Sequence, residues 1–176
     1  MQPITVAIVD VNLEKRAQLE QFLQRDEKSI KVLVDIKSNH KRVGERRIKS
    51  RKHLALIDDV VARVNRLKPR VLLANTHQLS GVCYELLIAL RRNCPDTLVV
   101  LLVEKSVEEN QALKALANGA RGFLDCSSDF LNFSKAIFAV DQGEAWVPRK
   151  ILGKAMDKIL FTSPRNAAGG CFDSAC

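Results

Sequence analysis

The sequence has few aromatic residues and no long apolar run, and these absences exclude several classes of protein. Phe, Trp and Tyr make up 5% of the 176 residues. The longest uninterrupted apolar run, residues 98–103, has six residues, whereas a transmembrane helix needs about 20. The N-terminus enters the apolar run 4–9 without a basic flank or a small-residue cleavage site. We therefore expect no signal peptide, no membrane anchor and a cytoplasmic protein.

Cysteine and histidine are too scattered to indicate a metal site or a disulfide framework. The five Cys form an odd set without framework spacing, and Cys83 and Cys94 flank one predicted helix, too far apart to bond to each other. We expect free thiols in a reducing compartment. The three His and five Cys show no metal-ligand spacing, so the sequence predicts neither a metal site nor a cofactor.

The positive charge is concentrated in one segment, residues 37–53. This segment carries eight Lys or Arg and one acid, a formal +7 out of the chain's +8. It contains no aromatic residue, so stacking on single-stranded bases is not supported. Two interpretations stay open: a solvated, partly disordered insertion, or a surface that contacts nucleic-acid phosphates or an acidic protein face without reading sequence. The candidate contact residues are Lys41, Arg42, Arg46, Arg47, Lys49, Arg51 and Lys52.

Five short apolar runs alternate with five amphipathic patterns, which predicts an α/β fold with a five-stranded, doubly wound parallel sheet. We expect the strands at residues 4–9, 30–36, 71–75, 98–103 and 122–124. The first helix follows Asn12, and we expect the others at residues 54–67, 82–92, 107–118 and 128–141, with an extra helix at 149–160. The apolar stripe predicted for the first helix consists of Leu13, Ala17, Leu19, Phe22 and Leu23.

Four strand-and-turn segments resemble the receiver domains of bacterial response regulators, specifically the NarL/FixJ branch. They are residues 4–10 (ITVAIVD), 68–75 (KPRVLLAN), 94–102 (CPDTLVVLL) and 118–124 (NGARGFL). Residues 142–146 (QGEAW) add the signature with which that branch leaves its fifth helix. The resemblance covers residues 3–160 apart from the basic segment. It implies the CheY-like, or flavodoxin-like, receiver fold, followed here by the extra C-terminal helix.

The resemblance also implies where a phosphorylation pocket would lie, and most of that pocket is missing. In the family, two acids and the acceptor Asp hold Mg²⁺, and the acceptor attacks phosphorus as an ionised carboxylate. A hydroxyl and a lysine then contact the phosphoryl group. In this sequence, the positions of the two acids hold Asp10 and Val11, and the position of the acceptor Asp holds Asn75. The hydroxyl position holds Val103, and the lysine position holds Cys126. Because an amide cannot form an acyl phosphate, we expect no phosphotransfer, no enzymatic activity and no tight Mg²⁺ site.

Three residues at these pocket positions each allow two interpretations. Asn75 either binds a small molecule or satisfies backbone groups of the neighbouring loops, and we favour the second. Asp10 is either a relict ligand or a carboxylate that accepts backbone hydrogen bonds. Cys126 invites a redox-sensor hypothesis, but a reactive thiol needs a cationic environment and Asp125 is its neighbour. Phe123 keeps the aromatic position that the family associates with switching.

We expect three parts in the chain: a receiver-like domain at 1–145 containing the basic insertion, a linker helix at 146–160, and a disordered tail at 161–176. The leading hypothesis is a phosphorylation-independent pseudo-receiver that regulates, for example transcription, through protein–protein contact. The alternatives are a nucleic-acid-associated regulator that binds through residues 37–53, and a truncated DNA-binding response regulator. A homodimer would pair the linker-helix residues Ile151, Leu152, Met156 and Ile159.

Overall fold

The computed structural model describes residues 2–9, 13–25, 29–33, 49–76, 82–104, 107–126 and 130–162. Within these ranges, residues 13, 49–53, 130–131 and 160–162 are described by their backbone alone. No helix among the described residues is long and apolar enough to cross a membrane.

The sheet has the predicted parallel, doubly wound arrangement, with the strand order β2-β1-β3-β4-β5. Its strands are β1 (Ile4–Val9), β2 (Ile30–Val32), β3 (Val71–Asn75), β4 (Leu98–Val103) and β5 (Ala120–Asp125). All five residues of the central strand β3 are buried, as expected for a strand covered on both faces. The α/β class and the topology predicted from the sequence are confirmed.

Six helices of the described residues surround the sheet. They are α1 (Leu13–Gln24), α2 (Lys49–Leu67), α3 (Cys83–Asn93), α4 (Glu109–Ala117), α5 (Phe130–Asp141) and α6 (Arg149–Thr162). One core cluster contains buried residues of α2, α3, α4 and α6, and the other contains those of α1 and α5. Two helix layers therefore cover opposite faces of the sheet.

Several element boundaries differ from the sequence expectation. Strand β2, expected at residues 30–36, ends at Val32, and residue 33 already lies outside the strand. Helix α2 begins at Lys49, not near residue 54, so the last five residues of the basic insertion are helical. No Pro or Gly interrupts residues 49–67, and Lys and Arg are good helix formers. Strand β5 has six residues because Ala120 also pairs with Val99 of β4 and Asp125 also pairs with Val103. Helix α6 continues two residues beyond the predicted end, and residues 163–176 lie outside the described part.

The apolar stripe predicted for α1 is partly wrong. Leu19 and Leu23 are buried and Phe22 is half-buried, but Ala17 is exposed. Arg16, on the same side of the helix as Glu20, donates a 2.6 Å hydrogen bond to it. This i, i+4 pair is typical of a helix surface. The predicted stripe was therefore too wide at its N-terminal end.

The segment between α5 and α6 extends the sheet by one residue. Trp146 forms a parallel bridge with Gly122, in which the Phe123 N–H donates to the Trp146 carbonyl (2.9 Å) and the Trp146 N–H donates to the Arg121 carbonyl (3.0 Å). A Cβ atom on Gly122 would lie 2.7 Å from that Trp146 oxygen, so only glycine allows this approach. Pro148 then starts α6 by accepting a hydrogen bond from the Ile151 N–H (2.9 Å).

Helix α6 packs against α4 of its own chain. Ile151 is 5% exposed and belongs to the core cluster that contains α4. The Lys150 ammonium lies 2.7 Å from a Glu109 carboxylate oxygen, and Lys154 pairs with the other oxygen of the same carboxylate. The linker helix is therefore an integral part of the folded body.

Candidate functional site

The carboxyl edge of the sheet brings three of the predicted pocket positions close together. In the parallel register Val9 lies beside Ala74, Asn75 beside Leu102, and Val103 beside Asp125. Neighbouring strands lie about 4.8 Å apart. Asn75, Val103 and Cys126 consequently end up at one edge of β3, β4 and β5. Asp10 and Val11 lie outside the described residues.

Asn75 is held in the interior at the end of β3. Its side chain is 3% exposed, and it is the one buried polar or charged residue within the described part of the chain. The next residue, Thr76, donates from both its backbone N–H (2.9 Å) and its hydroxyl (3.0 Å) to the Leu102 carbonyl. These two bonds fix the exit of β3 against β4. A neutral amide suits such burial because an ionised carboxylate there would need a cationic partner.

Val103 closes the neighbouring strand end with an apolar side chain. It is 9% exposed and belongs to the same cluster as Phe123, Ala112 and Ile151. Where a hydroxyl would donate a hydrogen bond to a phosphoryl oxygen, two methyl groups offer only packing. Phe123, the predicted switch aromatic, is 7% exposed and points into this cluster. This part of the edge therefore presents packed apolar side chains and no hydroxyl.

Cys126 follows β5 and is half-buried. Its backbone N–H donates to the Val103 carbonyl at 2.7 Å, which continues the β4–β5 ladder past the last strand residue. None of the three described cysteines, Cys83, Cys94 and Cys126, forms a disulfide bond. A thiol cannot supply the fixed positive charge that a lysine provides to a phosphoryl group.

The other two described thiols are poor nucleophiles. Burial and, to a smaller extent, the nearby Glu85 carboxylate together raise the pKa of Cys83 to about 11. Burial also raises the pKa of Cys94, whose thiol donates a 3.3 Å hydrogen bond to the Asn65 side-chain oxygen. Because the thiolate is the reactive form, these environments oppose redox or nucleophilic chemistry at both positions.

No cluster of three or more His, Cys, Asp or Glu that could hold a metal ion occurs among the residues that the structure describes. Two carboxylates lie near the strand ends: Asp125 is half-buried, and Glu104 pairs with Lys15 at 3.6 Å. Neither carboxylate is part of a metal-ligand set within the described residues. With amide and valine side chains at two of the pocket positions, the described side chains offer little to a hard cation such as Mg²⁺.

An apolar groove of about 580 Å³ lies beside the strand ends, and the sequence analysis missed it. Residues from β4, β5, α4, α5, α6 and the Trp146 segment line it, among them Val103, Phe123, Trp146 and Ile151. The groove exists because α6 folds back onto α4. One sequence signal could have indicated it: Gly122 and Trp146 both belong to the family-like segments, and a glycine opposite a large aromatic marks a close backbone approach.

The candidate basic contacts lie only partly in the described chain. Lys49, Arg51 and Lys52 occupy the first turn of α2, where only the backbone is described. Lys41, Arg42, Arg46 and Arg47 lie outside the described residues. Since the helices of a parallel α/β sheet run opposite to its strands, the N-terminus of α2 faces the carboxyl edge. The start of α2 is therefore on the same side of the molecule as Asn75.

Comparison with known proteins identifies the fold. No family model matches the sequence, and no curated protein matches it. Among solved structures, the apo REC domain of RcsB from Salmonella enterica serovar Typhimurium superposes with a TM-score of 0.62 at 16% identity, covering 88% of this chain and 99% of that one. A LuxR family DNA-binding response regulator from Silicibacter pomeroyi gives 0.56 at 22% identity, covering 84% and 98%.

The receiver domain of a putative NarL response regulator from Mycobacterium tuberculosis is similar to the same degree. It has a TM-score of 0.55 and 23% identity and covers 82% of this chain and 100% of the NarL domain. The chain therefore has the receiver fold and resembles the NarL branch, as the four sequence segments predicted. At these identities the likeness shows the fold alone, so the function has to be argued from the site.

Proposed function

We propose that this receiver-fold chain is a regulatory module that acts by protein–protein contact and does not use phosphoryl transfer. The observation that carries the proposal is the buried carboxamide of Asn75 at the end of β3, 3% exposed. Formation of an acyl phosphate at this position needs an ionised carboxylate oxygen as the nucleophile, and an amide has none at any ordinary pH.

The surroundings of Asn75 support the same proposal. Val103 supplies no hydroxyl at the end of β4, and Cys126 supplies no cation after β5. A phosphoryl group at this edge would meet methyl groups where charge-assisted hydrogen bonds are needed. Phe123 is already packed inward with Val103 and Ile151, so its position does not require phosphorylation. The module consequently holds one arrangement of this edge.

The experiment is incubation of the full chain with acetyl phosphate and Mg²⁺, followed by intact-mass measurement. We expect no stable, stoichiometric gain of a phosphoryl group, and the same elution volume before and after. A receiver domain that carries the acceptor Asp is the positive control for the phosphodonor. A stoichiometric adduct at or beside Asn75, with a change in hydrodynamic size, would overturn the proposal.

A second copy of the chain is the contact that we propose for α6. Leu152, Met156 and Ile159 are 43%, 54% and 70% exposed, and their i, i+4, i+7 spacing puts them in one stripe. Ile151, predicted to pair across the dimer, is buried against α4 instead, so that part of the prediction is wrong. A heptad-like stripe on a docked helix suits packing against its own copy.

Light scattering tests this contact on the full chain. We expect a dimer for the wild type, and a monomer when Leu152, Met156 and Ile159 are all changed to Gln. The matched control is the exposed Leu54→Gln in α2, which should leave the mass unchanged. A wild-type monomer at high micromolar concentration, or a Gln variant that remains a dimer, rules out α6 as the contact.

The second candidate function is nucleic-acid association through the basic segment, and one observation favours it. Helix α2 has Lys49, Arg51 and Lys52 in its first turn and no acid there. Cations at a helix N-terminus are opposed by the helix dipole, so helix stability does not explain their placement. A mobility-shift titration across salt tests this function. Binding that disappears when the cations in 41–52 are neutralised supports it, and no shift at low salt rules it out.

A further inference from the structure

A second basic surface lies at the amino edge of the sheet, at the opposite end of α2 from the basic segment. We call it the basic edge. It comprises the last turns of α2, α3 and α4 together with the first residues or approaches of β3, β4 and β5. Its cations are Arg66, Lys68, Arg70, Arg91, Arg92, Lys114 and Arg121. Its acids are Asp96, Asp141 and Glu144, which leaves a formal charge of +4.

Two adjoining hollows show that these cations share one surface. One hollow of about 500 Å³ is lined by Arg91 and Arg121. The other, of about 460 Å³, is lined by Lys68 and Arg70, with Asp96 as its one acid. Pro95 and Thr97 line both hollows, so the hollows adjoin along the turn that leads into β4. Four cations and one carboxylate therefore line a continuous concave surface.

Most of this charge is open to solvent. Arg70 is paired with Asp141, its guanidinium nitrogen 2.9 Å from the carboxylate. Arg91, Arg92 and Arg121 are exposed, and none makes an ion pair with another residue of the described ranges. An incoming anion would not have to displace a carboxylate from these three side chains. The basic edge thus presents at least three exposed guanidinium groups. Each can donate two parallel hydrogen bonds to the oxygens of a phosphate.

The composition of the surface decides between nucleic acid and an acidic protein. The large exposed apolar residues of the described chain are Leu54, Ile88, Leu152, Met156 and Ile159, and none of them lines either hollow. Protein–protein interfaces have an apolar core depleted in charge, whereas protein–DNA interfaces are more polar and far more positive. No aromatic residue lines the hollows, which excludes base stacking there as a source of affinity.

We infer that the basic edge binds the phosphate backbone of double-stranded nucleic acid without reading its sequence. The site is distinct from the basic first turn of α2, because this helix of 19 residues is about 28 Å long at 1.5 Å per residue and the basic edge lies at its other end. The inference does not rest on the proposed function, since a module that makes protein contacts through α6 keeps this edge free. It adds a folded nucleic-acid surface to a chain whose positive charge appeared confined to one segment.

The test is fluorescence anisotropy of a labelled 20-base-pair duplex titrated with the full chain at several salt concentrations. The variant carries Arg91→Gln, Arg92→Gln and Arg121→Gln, which keep the aliphatic stems and remove three charges. The control carries Arg149→Gln, Lys135→Gln and Lys158→Gln, three exposed cations outside the basic edge. Both variants have the same net charge, and circular dichroism with a thermal melt verifies that each is folded.

We expect the arginine variant to bind at least about tenfold more weakly at 50 mM salt, with a salt slope smaller by about 2 to 3. The control should lose no more than about twofold. Three results would overturn the inference: no binding by the wild type at 50 mM salt, equal losses in both variants, or binding that vanishes wholly on neutralising residues 41–52. Binding of labelled polyglutamate by a wild-type chain that has no affinity for the duplex, lost in the arginine variant, would assign the edge to an acidic protein instead.

Discussion

The two edges of this sheet differ in what they expose. At the carboxyl edge, β3 ends at Asn75 and β4 ends at Val103, and these two residues are 3% and 9% exposed. At the amino edge, arginines from α3 and β5 stand in solvent around two adjoining hollows. In parallel α/β sheets, ligands normally bind at the carboxyl edge. Here the ends of β3 and β4 are buried and the groove beside them is mainly apolar, whereas the other edge carries the accessible charge.

The buried carboxyl edge and the charged amino edge are both compatible with a stable fold. Burying valine and phenylalanine at the carboxyl edge removes apolar surface from water, and the amide of Asn75 is the sole polar group to be accommodated within the described core. Cations at the ends of α2, α3 and α4 lie at the negative ends of the helix dipoles, where they stabilise the helices. The basic edge can therefore be maintained without cost to the fold.

The largest expected effect comes from placing a charge at the buried end of β3, at the carboxyl edge. Asn75→Asp should lower the free energy of unfolding by about 3 kcal/mol at pH 7, because an ionised carboxylate buried at this position loses its hydration. Burial raises the pKa of the new carboxyl above its unfolded value of about 3.9, so stability should be highest below pH 4 and fall as pH rises. Denaturant melts across pH measure this.

Asn75→Ala is the matched control for that prediction. It removes the amide without adding charge, so we expect a loss of about 1 to 2 kcal/mol that does not change between pH 4 and pH 7. If Asn75→Asp were as stable at pH 7 as at pH 4, the edge would be open to water or would contain a cation, and the contrast between the two edges would disappear.

The second expected effect concerns the helix that covers the groove. Ile151→Ala should cost about 2 to 3 kcal/mol, because the side chain is 5% exposed and packs with the α4 cluster. Leu152→Ala, next to it and 43% exposed, should cost less than about 1 kcal/mol. Hydrogen exchange should show faster exchange in α6 for the first variant alone. Equal losses in both variants would mean that α6 is not docked.

Two glycine substitutions test the contact between the Trp146 segment and β5. Gly122→Ala should cost about 1 to 3 kcal/mol, because the new Cβ would lie 2.7 Å from the Trp146 carbonyl oxygen and backbone has to move. Gly153→Ala in α6 has open space around its Cβ and should gain about 0.5 to 1 kcal/mol. Thermal melts of the two single variants measure the difference. Similar melting temperatures would contradict the Trp146 bridge.

The smallest expected effect on stability comes from the exposed arginines at the amino edge. The combined Arg91→Gln, Arg92→Gln and Arg121→Gln variant should change the free energy of unfolding by less than about 1 kcal/mol, since exposed charges contribute little to stability. Denaturant melts at low and high salt measure this. A loss comparable to that of Asn75→Asp would show that these arginines hold the fold together, and the two edges would then differ less than their exposure indicates.

The sequence predicted the framework well because buried parallel strands leave a strong local signal. Continuous apolar runs such as β4, bounded by Pro95 and a polar loop, specify a strand and its neighbours. The positions of Asn75 and Val103 at the strand ends followed from the same runs. The error at Ala17 arose because a small apolar residue fits the surface of a helix as well as the core.

The basic edge and the groove could not be predicted because they depend on residues far apart in the sequence. A count of charges along the chain gave about +1 outside residues 37–53, since the acids elsewhere offset the arginines. Only the folded topology gathers Arg91, Arg121 and Lys68 at one edge. Likewise, the local pattern of α6 contains both Ile151 and Leu152, and nothing in it tells which of them faces α4.

The most direct measurement of the sealed phosphorylation site is an amide NMR titration of the full chain with Mg²⁺ and beryllofluoride, the phosphomimetic of one similar receiver structure. It needs no covalent step, so it tests the site itself. We expect no saturable shift of the amides of Asn75, Val103, Phe123 or Cys126. Saturable shifts at these four positions, with stoichiometric binding, would show a working phosphoryl site and contradict a regulatory module that is independent of phosphorylation.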